Sequence, residues 1–235
     1  LNTPLTLTAP TYLWLAFTVF LPLSAMLFFS FLTDAPFGNK EVFFSLENYQ
    51  AIWDKTFYQL LLFKSFRLGL EVTVLCFLIG FPCALILAKH VKGYWREAIF
   101  VLIILPFWSN ALVRIFSWTM VLRGNGVIEM TLNWISPGFG DFSLMFTYQA
   151  ILIGLVHSYL PYMILTCYVS IQSIDDSIIE AARVLGASRI MILMRLIVPL
   201  SLPGIAAGSV LIFIPVVGSF MEPRILGGRE GTFIG

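Results

Sequence analysis

Asp175 to Pro199, DDSIIEAARVLGASRIMILMRLIVP, is a charged, helix-prone island between two apolar segments that are each long enough to cross a bilayer. It therefore sits at a membrane face. Ser177 and Glu180 have capping-box spacing, and Ser173 with Asp176 repeats it one turn earlier, so a helix can begin here with its first amides satisfied. Ile174, Ile178, Ala181, Ala182 and Leu185 fall on one stripe at helical spacing, and Asp175, Asp176 and Arg183 fall on the opposite face. Gly186 reads as a helix stop, because glycine takes left-handed backbone angles without steric cost. The expected structure is a short exposed helix, a bend, and a second helix rising into the membrane. Small Ala181 and Ala182 beside Gly186 leave a shallow surface that another protein can approach closely, the alternative being a solvated connector helix.

Outward from the island the chain is apolar. Hydrophobic residues make up 59% and charged residues 11%, with a mean hydropathy of +0.91. A soluble domain has too much surface to cover for that balance, so the sequence reads as an all-α, polytopic membrane protein. The net charge of +1 gives no reason to expect a nucleic-acid partner. Cys76, Cys83 and Cys167 all fall inside apolar spans and their number is odd, which argues against disulfides, and no Cys/His cluster has metal-ligand spacing. No Gly-Lys pair occurs, so a phosphate-binding loop is absent and any ATP chemistry belongs to another chain. We expect no catalytic residue and no metal site in this chain.

Five spans are expected, at about 11–32, 66–88, 98–122, 149–171 and 197–220, in a single transmembrane domain over 1–235 with the polar island at about 172–199. Pro22 bends the first. A polar segment with Asp34, Lys40, Glu41, Glu47, Asp54 and Lys55 follows, in which Leu46 to Phe63 suits a helix at headgroup level. The third span is interrupted by Pro106, Trp108, Ser109, Asn110 and Arg114. Proline removes an amide donor and clashes with the preceding turn, so a break is expected around Leu105 to Asn110. Backbone freed at membrane depth needs protein or a water-filled cavity around it, which places the break on an inner surface. Arg123 to Thr147 reads as a glycine-rich loop, acidic at Glu129 and Asp141. Pro199, Pro203 and Pro215 punctuate the fifth span, where the run Gly204, Ala206, Ala207, Gly208, Ser209 permits close helix packing. The charges do not orient the chain: Lys89, Lys92, Arg96, Arg183, Arg189 and Arg195 on one side balance Lys40, Lys55, Lys64, Arg123, Arg224 and Arg229 on the other.

The order Glu180-Ala181-Ala182, three residues, Gly186, nine residues, Leu196-Ile197-Val198-Pro199 resembles the EAA loop of ABC importer permeases. Leu196 and Val198 stand where that family usually has Ile and Leu. Leu105 to Arg114, followed by Trp118, Leu122 and Gly126, resembles the third-span signature of spermidine/putrescine importer permeases. Leu46 to Tyr49, and Leu226-Gly227-Gly228 with Gly231 and Gly235, are similar to further segments of that group, so the resemblance runs along almost the whole chain. It implies a helical bundle of the type I ABC importer kind in the bacterial inner membrane, with a sixth span expected after Gly235. It also implies a second, homologous permease, two ATP-binding subunits that hold ATP and Mg, and a periplasmic substrate-binding protein. Orientation, with the island cytoplasmic, comes from the resemblance.

On that basis Glu180, Ala181, Ala182, Arg183 and Gly186 are the expected coupling residues. For the path of a small cationic solute the candidates are Glu71, Trp108, Asn110, Trp118, Tyr159, Tyr162 and Glu222. Charges at membrane depth are costly and face a cavity or a partner, and aromatic faces hold cations. Arg67, four residues before Glu71, offers a structural ion pair as the competing role, and packing or an interfacial belt competes for the aromatics. Arg114 repels a polyamine and reads as paired with an acid or as a gate; His157 reads as a packing residue. The alternative functions are import of another solute (an iron(III) complex, thiamine, an oxyanion or an opine-like amine), proton-coupled transport through Glu71, Arg114 and His157, and a non-transporting receptor or scaffold.

Overall fold

The computed structural model describes residues 3–32, 44–136 and 143–233, and side chains from residue 8 onward apart from Glu230. Asp34, Lys40, Glu41, Pro137, Gly138, Gly140, Asp141 and Gly235 lie outside them. The described chain is helical apart from a single antiparallel bridge between Leu32 and Phe44. It divides into two compact units, residues 1–60 and 61–235.

The first unit holds α1 (Thr3–Ser30), α2 (Glu47–Asp54) and the opening of α3 (Thr56–Lys89). Thr8–Ser30 is apolar enough to span, and none of that window is buried within the chain. α2 is clipped to the end of α1: Asn48 Nδ2 donates to the carbonyls of Ser30 and Leu32 (3.1 and 2.8 Å), and the Ser30 and Tyr49 hydroxyls lie 2.7 Å apart. The expected single interfacial helix over 46–63 is interrupted at Lys55, whose extended backbone separates α2 from α3. Lys55 is also where the long helix containing the expected second span begins.

In the second unit α3 and α7 (Tyr148–Gln172) form the core with α11 (Leu202–Val217). Along α3 the residues Leu68, Val72, Cys76, Gly80, Ala84 and Leu87 are buried, a stripe of helical period. Small residues set the spacing, as expected where lipid supplies no hydrophobic drive and helices associate by packing. A side chain at Gly204 would collide with Ser170 on α7, and one at Gly208 with Thr166. α12 (Met221–Gly227) closes one end, with Gly227 against Ile151 and Leu226 against Gly154.

Among the described residues three helices are long and apolar enough to cross a membrane alone, Thr8–Ser30, Thr56–Lys89 and Tyr148–Gln172, and two bent pairs bring the number to five if each pair is one span. One pair joins α4 (Tyr94–Ile104) and α5 (Ala111–Leu122), with a bend of 98° between the stretch ending at Trp108 and the one beginning at Ala111. Leu105–Trp108 is a 3-10 turn, Ser109 is extended, and Asn110 caps α5 by accepting from the Leu112 amide at 2.8 Å. The break expected from Pro106 is therefore present. The second pair runs α9 (Arg189–Ile192), a π-helical turn over Leu193–Ile197 and α10 (Val198–Leu200), then bends 64° into α11 at Ser201. The apolar run expected from 197 thus starts eight residues earlier, and its helix ends at Val217. Pro199 and Pro203 bracket the bend because neither can supply the amide of a continuous helix.

The expected loop after Arg123 contains α6 (Val127–Ile135), which corrects that reading. Glu129 is buried there, and its Oε2 accepts from the Asn125 amide at 2.7 Å. Its charge tightens the turn that the glycines had suggested was open loop.

Candidate functional site

The island folds as α8 (Asp176–Val184), a turn, and α9. Its cap differs from the expected capping box. Asp175 is the N-cap, with Oδ1 accepting from the Ser177 amide at 2.9 Å, so Ser177 is the recipient of the cap. That bond holds the Asp175 carboxyl below the usual aspartate range. At the other end Gly186 has φ +82°, the Gly186 amide donates to Arg183 O (2.9 Å), and the Ala187 amide donates to Ala182 O (3.0 Å). These two bonds form a Schellman stop, which needs a left-handed residue at that position.

The apolar stripe is split between two faces. Ile174 and Ile179 are buried and Ala182 packs against the core. Ile178, Ala181, Val184 and Leu185 point outward, Val184 and Leu185 with 88% and 87% of their surfaces exposed. Ile179, which is not on the stripe read from sequence, is the residue that turns inward. Glu180 is exposed and has no side-chain partner among the described residues. An added Cβ at Gly186 would meet nothing within 4 Å. The outward face is a small apolar platform edged by Glu180 and ended by an open glycine.

The platform is fastened to the second span. Lys89, the last residue of α3, donates from Nζ to Ile174 O (2.6 Å) and to Asp176 Oδ1 (2.7 Å). The lysine side chain is only 11% exposed, and its charge holds the Asp176 carboxyl below the usual range. The contact ties the start of α8 to the end of α3.

A second feature lies at the broken span. A cavity of about 370 Å³ is lined by Pro106, Ser109, Arg114, Ser117, Trp118 and His157 among others. Arg114 Nη1 donates to Pro106 O at 3.1 Å, a carbonyl that also accepts from the Ser109 hydroxyl (2.7 Å) and amide (3.3 Å), while its Nε is buried without a partner among the described residues. Trp118 and His157 meet edge to face at 5.3 Å, Phe107 and Tyr162 at 4.6 Å, and Tyr159 lies 6.0 Å from Tyr162. Trp118 and His157 thus form one aromatic contact on the cavity wall, and Tyr159 and Tyr162 form another that reaches the break through Phe107; Glu222 lies in the first turn of α12. Asn110 serves as a helix cap, and Trp108 points away with 87% of its surface exposed.

Glu71 lies elsewhere. Arg67 Nε donates to its Oε1 (2.7 Å) and the Tyr148 hydroxyl to its Oε2 (2.6 Å), so both oxygens are engaged within the chain. The Arg67 pairing was readable from the four-residue spacing. The contacts of Tyr148 with Glu71 and of Lys89 with Asp176 were not foreseen from sequence, because the partners are distant in the chain. The parts of the expected solute path are thus not all brought together.

The fold and these features define a multi-pass helical membrane protein with a short exposed helix, α8, between two spanning segments. The model of the binding-protein-dependent transport system inner membrane component family matches residues 80–235, and the chain belongs to that family. It is a transport subunit of the inner membrane. It is 36% identical over 222 residues to the spermidine/putrescine transport system permease protein PotB of Escherichia coli K12, covering 94% of this chain and 80% of that one. The PotB of Haemophilus influenzae is 34% identical, at 94% and 77% coverage. The molybdenum transport system permease ModB of Mycobacterium bovis is 28% identical, with 74% of this chain and 64% of that one covered. Among solved structures, a chain of a bacterial ABC transporter involved in import of the acidic polysaccharide alginate matches with a TM-score of 0.71 at 18% identity, covering 98% of this chain and 79% of the other.

Proposed function

We propose that this chain is one permease of an ATP-driven, binding-protein-dependent importer of spermidine or putrescine, coupled to ATP hydrolysis through α8. The observation that carries the transport reading is the α8 platform: an exposed apolar face on a helix that is capped at both ends and tied to a span by Lys89. The polyamine assignment draws its support from the PotB relatives.

Two ATP-binding subunits, which hold ATP and Mg, receive the platform of this chain and that of a second, homologous permease. A periplasmic protein delivers the solute. ATP binding closes the two subunits and carries each α8 as a lever, and the spans rock between inward and outward access. The coupling requires docking that differs between the two states. Val184 and Leu185 supply the apolar contact, Glu180 a polar one, and Gly186 and Ala181 allow close approach; Arg183 borders the same surface. In the solute path, Trp118, Tyr159 and Tyr162 present ring faces to an ammonium, and Glu222 adds negative charge. Asn110 and Trp108 hold and flank the break, while Glu71 keeps its carboxylate engaged with Arg67 and Tyr148 beside the path.

One observation favours a second reading. The cavity at the break presents Arg114 and His157 and no acid among its lining residues, an arrangement suited to an oxyanion. Uptake into proteoliposomes containing the whole complex and its binding protein decides between them. Polyamine import predicts ATP-dependent accumulation of labelled spermidine that excess molybdate leaves unchanged. Accumulation of molybdate without spermidine overturns the polyamine assignment and keeps the importer.

A further inference from the structure

A recess of about 680 Å³ opens where the end of α3, α8 and the start of α9 meet. Its rim carries Lys89, His90, Arg183 and Arg189, and its wall includes Leu85, Ile192 and Ile197. Its lining includes no acidic residue. Lys89 is already spoken for by Ile174 O and Asp176. Arg183, Arg189 and His90 have no side-chain partner among the described residues.

The position of the rim is set by the spans. Lys89 ends α3 and Arg189 opens α9, so the basic groups stand where two spanning segments leave the hydrocarbon, at headgroup depth. The apolar wall continues from there toward the membrane, through residues of the same two segments. A recess with cations at headgroup level above an apolar wall matches the two ends of a lipid molecule. We propose that it binds an anionic phospholipid, its phosphate between Arg183 and Arg189 and one acyl chain along the half-buried Leu85 and Leu193, which lie over the buried Ile192 and Ile197. A soluble phosphate would leave the wall unused. A zwitterionic lipid brings an ammonium that the same guanidiniums repel. Assignment to the inner leaflet rests on the coupling reading above; binding of the lipid itself does not.

The test is native mass spectrometry of the intact, delipidated complex. It is titrated with palmitoyl-oleoyl phosphatidylglycerol, with phosphatidylcholine of the same chains, and with inorganic phosphate as competitor. Phosphatidylglycerol is expected to be retained in preference to phosphatidylcholine, and inorganic phosphate should not displace it. Arg189→Gln should weaken retention about fivefold, the equivalent of about 1 kcal/mol for one cation near the headgroup. Arg189→Lys should keep most of it, and an unchanged melting temperature shows that both variants are folded. Equal retention of the two lipids, no effect of Arg189→Gln, or displacement by inorganic phosphate would each overturn the proposal. So would cross-linking of Arg189→Cys to an ATP-binding subunit in the resting complex, which would give the recess to a protein segment. The readout is lipid mass, so it can fail while polyamine uptake succeeds, and the reverse.

Discussion

Lys89 and Asp176 are 87 positions apart in the chain, yet their 2.7 Å contact fixes the exposed helix to the second span. Lys89 lowers the pKa of Asp176, so the contact stabilises the fold above the ordinary aspartate value of 3.8 and is lost as pH falls through the lower folded value. Between pH 5 and pH 8 this pair therefore adds no pH dependence. Asp176→Asn should lower the melting temperature at pH 7, with the difference from the parent shrinking as pH falls below about 3.8 and vanishing below the lower folded value, where both lack the charge. Melting curves across pH in detergent check it; a constant difference down to the lowest pH contradicts the pairing. Gly186 sets a different kind of limit. Any other residue at φ +82° is strained by about 1–2 kcal/mol, but the space around it is open within the chain. Gly186→Ala should thus cost stability with modest loss of transport, whereas Gly186→Trp should cut solute uptake at least about tenfold while ATP hydrolysis continues, since about 1.4 kcal/mol of lost coupling suffices. Uptake and hydrolysis measured on the same vesicles separate the two effects, and full uptake by Gly186→Trp would remove close approach from the account.

At the scale of elements, the bend between Trp108 and Ala111 depends on how α5 restarts. Asn110 accepts from the Leu112 amide, so Asn110→Ala should destabilise the protein by about 1 kcal/mol, read as a shift in thermal unfolding. A neutral substitution would mean that packing alone sets the bend. Much of this architecture was legible in the sequence because it is local. Pro106 dictates the break, Gly186 the stop, and apolar run length the spans. The unread parts have equally physical reasons. Ile178 and Ile179 are both apolar neighbours on α8, and hydropathy alone cannot tell which one turns inward. Asp175 and Ser177 both can cap, and the carboxylate took the position. Glu129 looked like loop charge because a glycine-rich context hides the turn that its carboxylate closes. Tyr148 meets Glu71 across 77 positions, a contact that no helical period records.

For the whole molecule, the central claim is that motion of ATP-binding partners enters the spans through α8. The fold places that helix between two spanning segments, and Trp118, Tyr159 and Tyr162 in two aromatic contacts at the broken third span. Between them run α3, gripped at its end by the Lys89 contact, and α7, which packs along it. Coupling of this kind is a free-energy difference between two arrangements of the assembly, so it is visible only with all subunits present. Glu180 is exposed and lacks a side-chain partner among the described residues, so its replacement should leave the fold intact and affect only the docked state. The most direct measurement is ATP hydrolysis by the reconstituted complex with its binding protein, with and without spermidine, for the parent and Glu180→Ala. The account predicts stimulation by spermidine in the parent and its loss in Glu180→Ala at unchanged melting temperature. Equal stimulation in both would contradict a coupling role for α8.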